Sequence, residues 1–116
     1  MYEILLYTDK NEKSEIEDYI NELKYAKDKD SRIKYTKIIA YLDMLSEKGL
    51  ALGNTYIKHL SNEIWELRPI KDRILFASYR DNKFILLSIF RKETKKTPRR
   101  EIERAKKLLK EFKGRW

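Results

Sequence analysis

Between Tyr2 and Tyr7 the chain is apolar and rich in aromatic and β-branched residues, which predicts a strand, and the turn-favouring stretch Asp9 to Asn11 ends it. From Ser14 the period lengthens. Ile16, Tyr19, Ile20 and Leu23 recur at three and four residues, the spacing of one helix face. Ser14 is placed to cap that helix, and Glu15, Glu17 and Asp18 fall in its first turn, where the helix dipole favours anions. The polar run Lys27 to Ser31 breaks it. Tyr35, Ile38, Ile39, Leu42 and Leu45 then mark a second amphipathic helix ending near Gly49, so the two helices form a hairpin. Gly53 and Asn54 belong to a loop that continues through Lys58 and His59.

Beyond that loop the period drops to two. Ile64–Arg68, Arg73–Tyr79 and Phe84–Phe90 are three strands separated by Pro69 to Asp72 and by Arg80 to Lys83, an antiparallel meander. Thr97 and Pro98 read as N-cap and first-turn residue of a last helix, with Ile102, Ala105, Leu109 and Phe112 on its apolar face before Gly114. The order β-α-α-β-β-β-α predicts an α+β fold, a small antiparallel β-sheet with an N-terminal helical hairpin and a C-terminal helix, all helices on one face. At 116 residues the chain is expected to be a single domain spanning 1–116.

Composition narrows the chemistry. There is no cysteine and one histidine, His59, which excludes a disulfide scaffold, a thiolate nucleophile, cysteine-ligated metal sites and a pair of catalytic imidazoles. The longest apolar run, Phe84 to Phe90, is interrupted by Ser88 and is far short of the ~20 residues a membrane span needs. The first residues, Met1 to Ile4, carry no basic region or cleavage signal, so a cytoplasmic location is expected. Charge is unevenly placed: residues 1–57 hold nine Lys or Arg against eleven Asp or Glu, and residues 58–116 hold eighteen against eight. That asymmetry is either the footprint of a polyanion, nucleic acid first among them, or a solvated lysine-rich surface.

Two constellations sit in the basic half. By two-residue alternation Arg73, Leu75, Ala77 and Tyr79 share one strand face, and Ile64, Glu66 and Arg68 share another. Glu66 beside an Arg is either an ion pair at the sheet rim or part of a site. The segment Arg91-Lys92-Glu93-Thr94-Lys95-Lys96-Thr97-Pro98-Arg99-Arg100 carries six cations and one anion ahead of a helix N-terminus, a place suited to phosphate or, alternatively, a solvated linker.

Ile64-Trp65-Glu66-Leu67-Arg68, Arg73-Ile74-Leu75-Phe76, Phe90-Arg91-Lys92-Glu93-Thr94-Lys95-Lys96-Thr97-Pro98 and Glu101-Ile102-Glu103-Arg104-Ala105 together resemble the RelE/HigB branch of the RelE/ParE toxin superfamily, closest to phage-derived HigB toxins. The resemblance covers roughly residues 56–112. It implies the toxin of a type II toxin–antitoxin pair that cleaves messenger RNA on the ribosome. It also implies neutralisation by a helix-turn-helix antitoxin of HigA type, with operator DNA contacted only through that antitoxin, no membrane and no cofactor. Carried over by position, Arg73 would contact the scissile phosphate and Lys92 would be the basic residue after the last strand. Arg68 matches the Arg of the Glu-Leu-Arg stretch, and Lys96, Thr97 and Pro98 match a Lys-Thr-Pro segment. Where ribosome-dependent relatives carry lysines on the strand before the catalytic Arg, this chain has Ile64 and Glu66. After Lys92 the only aromatics are Phe112 and Trp116, so no tail Tyr is available.

Cleaving RNA without metal requires a base for the 2′-hydroxyl, an acid for the leaving oxygen and cations for the developing charge. Arg73, Lys92, Arg68 and Glu66 are the catalytic candidates, with either Glu66 or Lys92 as base. Lys58, Tyr79, Arg91, Lys95, Lys96 and Arg99 are the RNA-binding candidates, Tyr79 by stacking. The apolar face of the C-terminal helix, with Trp116, is a candidate surface for antitoxin or a second toxin chain. Two other classes share these features: a ParE-like inhibitor of DNA gyrase without nuclease activity, and a non-enzymatic nucleic-acid binder.

Overall fold

A computed structural model describes residues 1–115; Trp116 lies outside the described residues. The elements are β1 (Glu3–Leu6), α1 (Glu15–Tyr25), α2 (Lys29–Lys48) with a short 3-10 turn at Gly49–Leu52, β2 (Ile57–Ser61), β3 (Ile64–Leu67), β4 (Asp72–Ser78), β5 (Lys83–Arg91) and α3 (Arg99–Arg115). The chain is α+β as its periodicity predicts, with the helical hairpin, the strands and the last helix in the expected order. Ser14 caps α1 by accepting the Glu17 N–H at 3.1 Å, and Asp28 caps α2 by accepting from Ser31 at 3.0 Å. Gly49 ends α2 at φ +59°, where a Cβ would lie 2.6 Å from the Tyr2 ring.

The sheet has five strands in the order β1-β5-β4-β3-β2. Four of them form the antiparallel meander, while β1 adds to β5 in parallel, Glu3 opposite Lys83 through Leu6 opposite Leu86. The α1–α2 hairpin between β1 and the meander brings the first strand back to the sheet in the same direction as the last. β2 corrects the loop expected around Lys58: Lys58 pairs with Glu66 and His59 with Trp65. Its Ile57-Lys58-His59-Leu60-Ser61 run has only two apolar residues, Ile57 and Leu60, on either side of a basic pair, too short for a clear period.

The helices do not share one face. Ile16, Leu23, Ile38 and Leu45 of α1 and α2 pack against Ile57, Leu67, Ile74, Phe76, Phe84, Leu86 and Ile89, while Ala105, Leu109 and Phe112 of α3 pack against Ile64, Leu75, Ala77, Ile85 and Leu87 on the other side. The sheet is therefore sandwiched, and the apolar face of α3 expected to receive a partner is used internally. Strands buried on both faces read as continuous apolar runs, which explains Ile74 to Ala77 and Phe84 to Leu87.

A β-bulge positions the site. Opposite Leu75 and Phe76 of β4 stand Ser88 and Leu86 of β5, leaving Leu87 unpaired. The extra residue reverses the alternation of β5, so Phe84, Leu86 and Ile89 all face α1 and α2, and beyond the bulge Phe90 stands opposite Arg73 on the α3 side. Arg91 is turned to the opposite face.

Candidate nucleic-acid interface

At the end of the sheet where α3 begins, the α3 face of β2, β3 and β4 turns from apolar to charged, with Phe90 of β5 beside it. Lys58 of β2 and Glu66 of β3 are cross-strand partners, Glu66 pairs with Leu75 of β4, and Arg73 lies two residues before Leu75 on the same face. Period-two geometry thus brings Lys58, Glu66 and Arg73 together from three adjacent strands. Glu66 is completely buried, with Arg73 Nε 3.9 Å from its Oε1 and Arg68 Nε 3.8 Å from its Oε2. Thr97, in the segment between β5 and α3, donates its hydroxyl to Glu66 Oε1. Pro98 rather than Thr97 caps α3, since its carbonyl accepts the Glu101 N–H at 3.0 Å; this corrects the cap expected at Thr97.

The turn between β3 and β4 cradles Arg73. Its guanidinium donates to the Ile70 carbonyl at 2.7 Å and to the Asp72 carbonyl at 2.8 Å, with Ile70 held at φ +50°. These bonds aim a side chain that is only 12% exposed. Arg68 is anchored at the Asn54 carbonyl at 3.2 Å, and the Lys92 N–H donates to the Lys71 carbonyl at 2.8 Å, extending the pairing of β4 and β5 to the last basic residue. Ile70, Lys71, Arg73, Lys92, Glu93, Thr94 and Lys95 line an open cleft of about 390 Å³. It has cationic walls and no aromatic ring.

Burial lowers the Arg73 pKa and the Glu66 carboxylate opposes that shift. The Lys92 ammonium is also pushed below its ordinary value, first by desolvation and then by Arg73, Arg68 and Lys58, with Glu66 pulling the other way. Three fixed cations around a lysine favour its neutral amine. Lys92 and Arg73 both combine a depressed pKa with a place on the cleft, and since a guanidinium stays protonated, Lys92 is the one of the two that can offer a neutral amine.

The structure gathers Lys58, Glu66, Arg68, Arg73, Lys92 and Lys95 at one end of the sheet. Lys96 is exposed in the loop beside them, and its carbonyl accepts from the Thr94 hydroxyl at 2.6 Å. Arg99, 92% exposed, opens α3 and lies 4.0 Å from Glu103. Tyr79 and Arg91 are not part of the cluster. Tyr79 stands at the far end of β4 with its ring edge-on to Phe112, centroids 4.9 Å apart, and Arg91 lies on the α1 side beside Tyr19 and Asp72. His59 faces that side as well, its ring 4.9 Å from that of Trp65 and its Nε2 2.7 Å from the Asn62 carbonyl, where it closes the β2–β3 turn. Among the described residues no group of three His, Cys, Asp or Glu side chains is placed to hold a metal ion, and no helix is long and apolar enough to cross a membrane.

Period alone missed Thr97 as a Glu66 partner, because a loop hydroxyl carries no pattern. It also missed the Tyr19–Asp72 contact, with distances of 3.3 and 3.4 Å to the two carboxylate oxygens, which ties α1 to β4; burial and then Asp72 push the Tyr19 phenol up to about 12.

No curated protein is found to match the chain. Residues 18–110, which take in most of α1, all of α2, the strands of the meander, the basic segment and most of α3, match the family described as phage derived protein Gp49-like (DUF891). On a match of that extent, the chain belongs to the phage-derived Gp49-like family.

Proposed function

We propose that the chain is the toxin of a type II toxin–antitoxin pair, a metal-independent endoribonuclease that cuts messenger RNA on the ribosome and is silenced by a helix-turn-helix antitoxin. The observation that carries this reading is the joint placement of Arg73 and Lys92 on one open cationic cleft, one fixed by backbone carbonyls and the other with a depressed pKa. Membership of the Gp49-like family and the resemblance to RelE/HigB toxins support it.

In this mechanism the RNA phosphate rests against Arg73. The neutral amine of Lys92 takes the proton of the 2′-hydroxyl, whose oxygen attacks the adjacent phosphorus. The bond to the 5′-oxygen breaks, and that oxygen takes a proton from solvent or a neighbouring ammonium group. Arg73 offsets the charge on the phosphorane-like transition state. Glu66 is a poor base by position, since its buried carboxylate already faces two guanidinium groups and the Thr97 hydroxyl. The cleft is shallow and lacks a stacking ring, so it leaves much of the substrate uncovered. The ribosome supplies the missing wall by holding the message.

The test is expression of the chain, Arg73→Ala and Lys92→Ala in growing bacteria, with mapping of message 5′ ends with and without translation. Translation-dependent cuts that vanish in both variants are expected. Growth arrest with intact messages and damaged DNA would move the assignment to gyrase inhibition, and RNA binding without cuts to a non-enzymatic binder.

A further inference from the structure

Glu66 is a charged side chain with no exposed surface, in contact with two guanidinium groups and with one hydroxyl from a different part of the chain. Arg73 and Arg68 come from the sheet. Thr97 comes from the segment that follows Lys92, whose Lys92, Thr94 and Lys95 form one wall of the cleft. The carboxylate therefore lies between the Arg73 guanidinium and the connection that carries Lys92 and Lys95. Its satisfaction is incomplete: among the described residues neither Glu66 Oε2 nor Arg73 Nε has a hydrogen-bond partner. Buried charged groups are seldom left in that state without a role.

We infer that Thr97 and Glu66 form a positioning latch, in which the Thr97 hydroxyl holds the basic segment onto the buried carboxylate and thereby fixes Arg73 for the RNA phosphate; this rests on the nuclease reading. Thr97 and Glu66 touch no substrate. With the Thr97 bond made, Glu66 Oε1 is pinned, and the Arg73 guanidinium is held between that oxygen and the Ile70 and Asp72 carbonyls. Without it, the carboxylate turns and the segment from Glu93 to Thr97, beyond the Lys92–Lys71 backbone bond, swings away from the sheet. A hydrogen bond to a charged group is worth roughly 10- to 100-fold in an equilibrium, enough to decide how often both walls of the cleft are assembled.

The test uses the full chain with 15N-labelled arginine, reading solvent exchange of the Arg73 Nη–H groups that donate to the Ile70 and Asp72 carbonyls, assigned by their disappearance in Arg73→Lys. Thr97→Val, nearly the same shape without the hydroxyl, is expected to speed that exchange roughly tenfold, and Thr97→Ser to recover most of the loss. Glu66→Gln, which keeps the volume, is the second variant and is expected to speed it as well. In parallel, single-turnover cutting of ribosome-bound message is expected to slow roughly 10- to 100-fold in Thr97→Val at saturating ribosomes, with half-saturation unchanged and Thr97→Ser recovering the rate. Exchange that is the same in wild type, Thr97→Val and Glu66→Gln overturns the latch. So does a fall in melting temperature common to the Val and Ser variants with exchange unchanged, which marks a purely structural threonine. If the wild type cuts no RNA, the nuclease reading fails while the exchange measurement still decides the latch.

Discussion

In the proposed mechanism Arg73 and Lys92 divide the work by their surroundings. Arg73 is nearly covered and tied to two carbonyls, so it serves as a fixed cation; Lys92 stands on the cleft wall with its ammonium destabilised. Removing the fixed cation is expected to slow cutting by roughly 100- to 1,000-fold while folding is kept, measured as the single-turnover rate of Arg73→Ala beside its melting curve. Lys92 predicts a pH dependence of definite sign. In the proposed mechanism its neutral amine is the active form, so the rate is expected to rise with pH and level off below the ordinary lysine value of 10.5, from which desolvation and Arg73 displace it. Lys92→Arg keeps the charge and is expected to lose the rising limb. A rate that falls with pH over that range would assign Lys92 a purely electrostatic role. The strand pattern and the run of cations put these two residues in the basic half, and the resemblance to RelE/HigB toxins is what singled them out. The fate of Glu66 was not readable in the sequence, since the same alternation that puts it beside an arginine is compatible with an exposed rim pair; only the covering segment around Thr97 buries it.

Among the elements, two joints set how the helical hairpin sits on the sheet. Gly49 ends α2 under the Tyr2 ring, which itself packs on Phe84 with centroids 5.0 Å apart. Gly49→Ala adds a methyl group into that ring at a positive φ, and a loss of about 2 kcal/mol is expected in urea denaturation. The second joint is Tyr19 against Asp72. Its folded pKa of about 12 lies above the unfolded value of 10, so its contribution to stability is complete below pH 10 and is lost as pH rises toward 12. Relative to Tyr19→Phe, the wild type is therefore expected to lose stability between pH 10 and 12, read from urea midpoints at both ends. The 3.6-residue period made the helices legible, but not all their ends: α2 begins at Lys29, inside the polar run expected to break the chain, and α3 is capped at Pro98 rather than Thr97. The strands buried on both faces gave their positions but not their phase: a Phe84–Phe90 run that is apolar except for Ser88 carries no alternation, so the bulge at Leu87 and the outward turn of Arg91 were hidden. The parallel pairing of β1 is likewise a tertiary choice that four residues cannot announce.

For the molecule as a whole, the charge asymmetry acquires a place. The acidic half supplies α1, α2 and their contact with one sheet face, and the basic half supplies the meander, the cleft and α3. RNA held by Lys58, Arg68, Arg73, Lys92 and Lys95 releases counterions in proportion to the phosphates met, about −0.7 in the logarithmic salt slope for each on a single strand. Binding of a non-cleavable 2′-deoxy oligonucleotide is expected to weaken steeply with salt and to lose about one such unit in Lys95→Ala; an unchanged slope would place the RNA elsewhere. The most direct test of the central claim is the cutting of a ribosome-bound message by purified protein, comparing the mapped site with and without its 2′-hydroxyl, and wild type with Arg73→Ala. The account predicts cutting by the wild type only where the 2′-hydroxyl is present, leaving a cyclic phosphate, with a roughly 100- to 1,000-fold loss in Arg73→Ala. Cutting of the 2′-deoxy site, or full activity of Arg73→Ala, would contradict it.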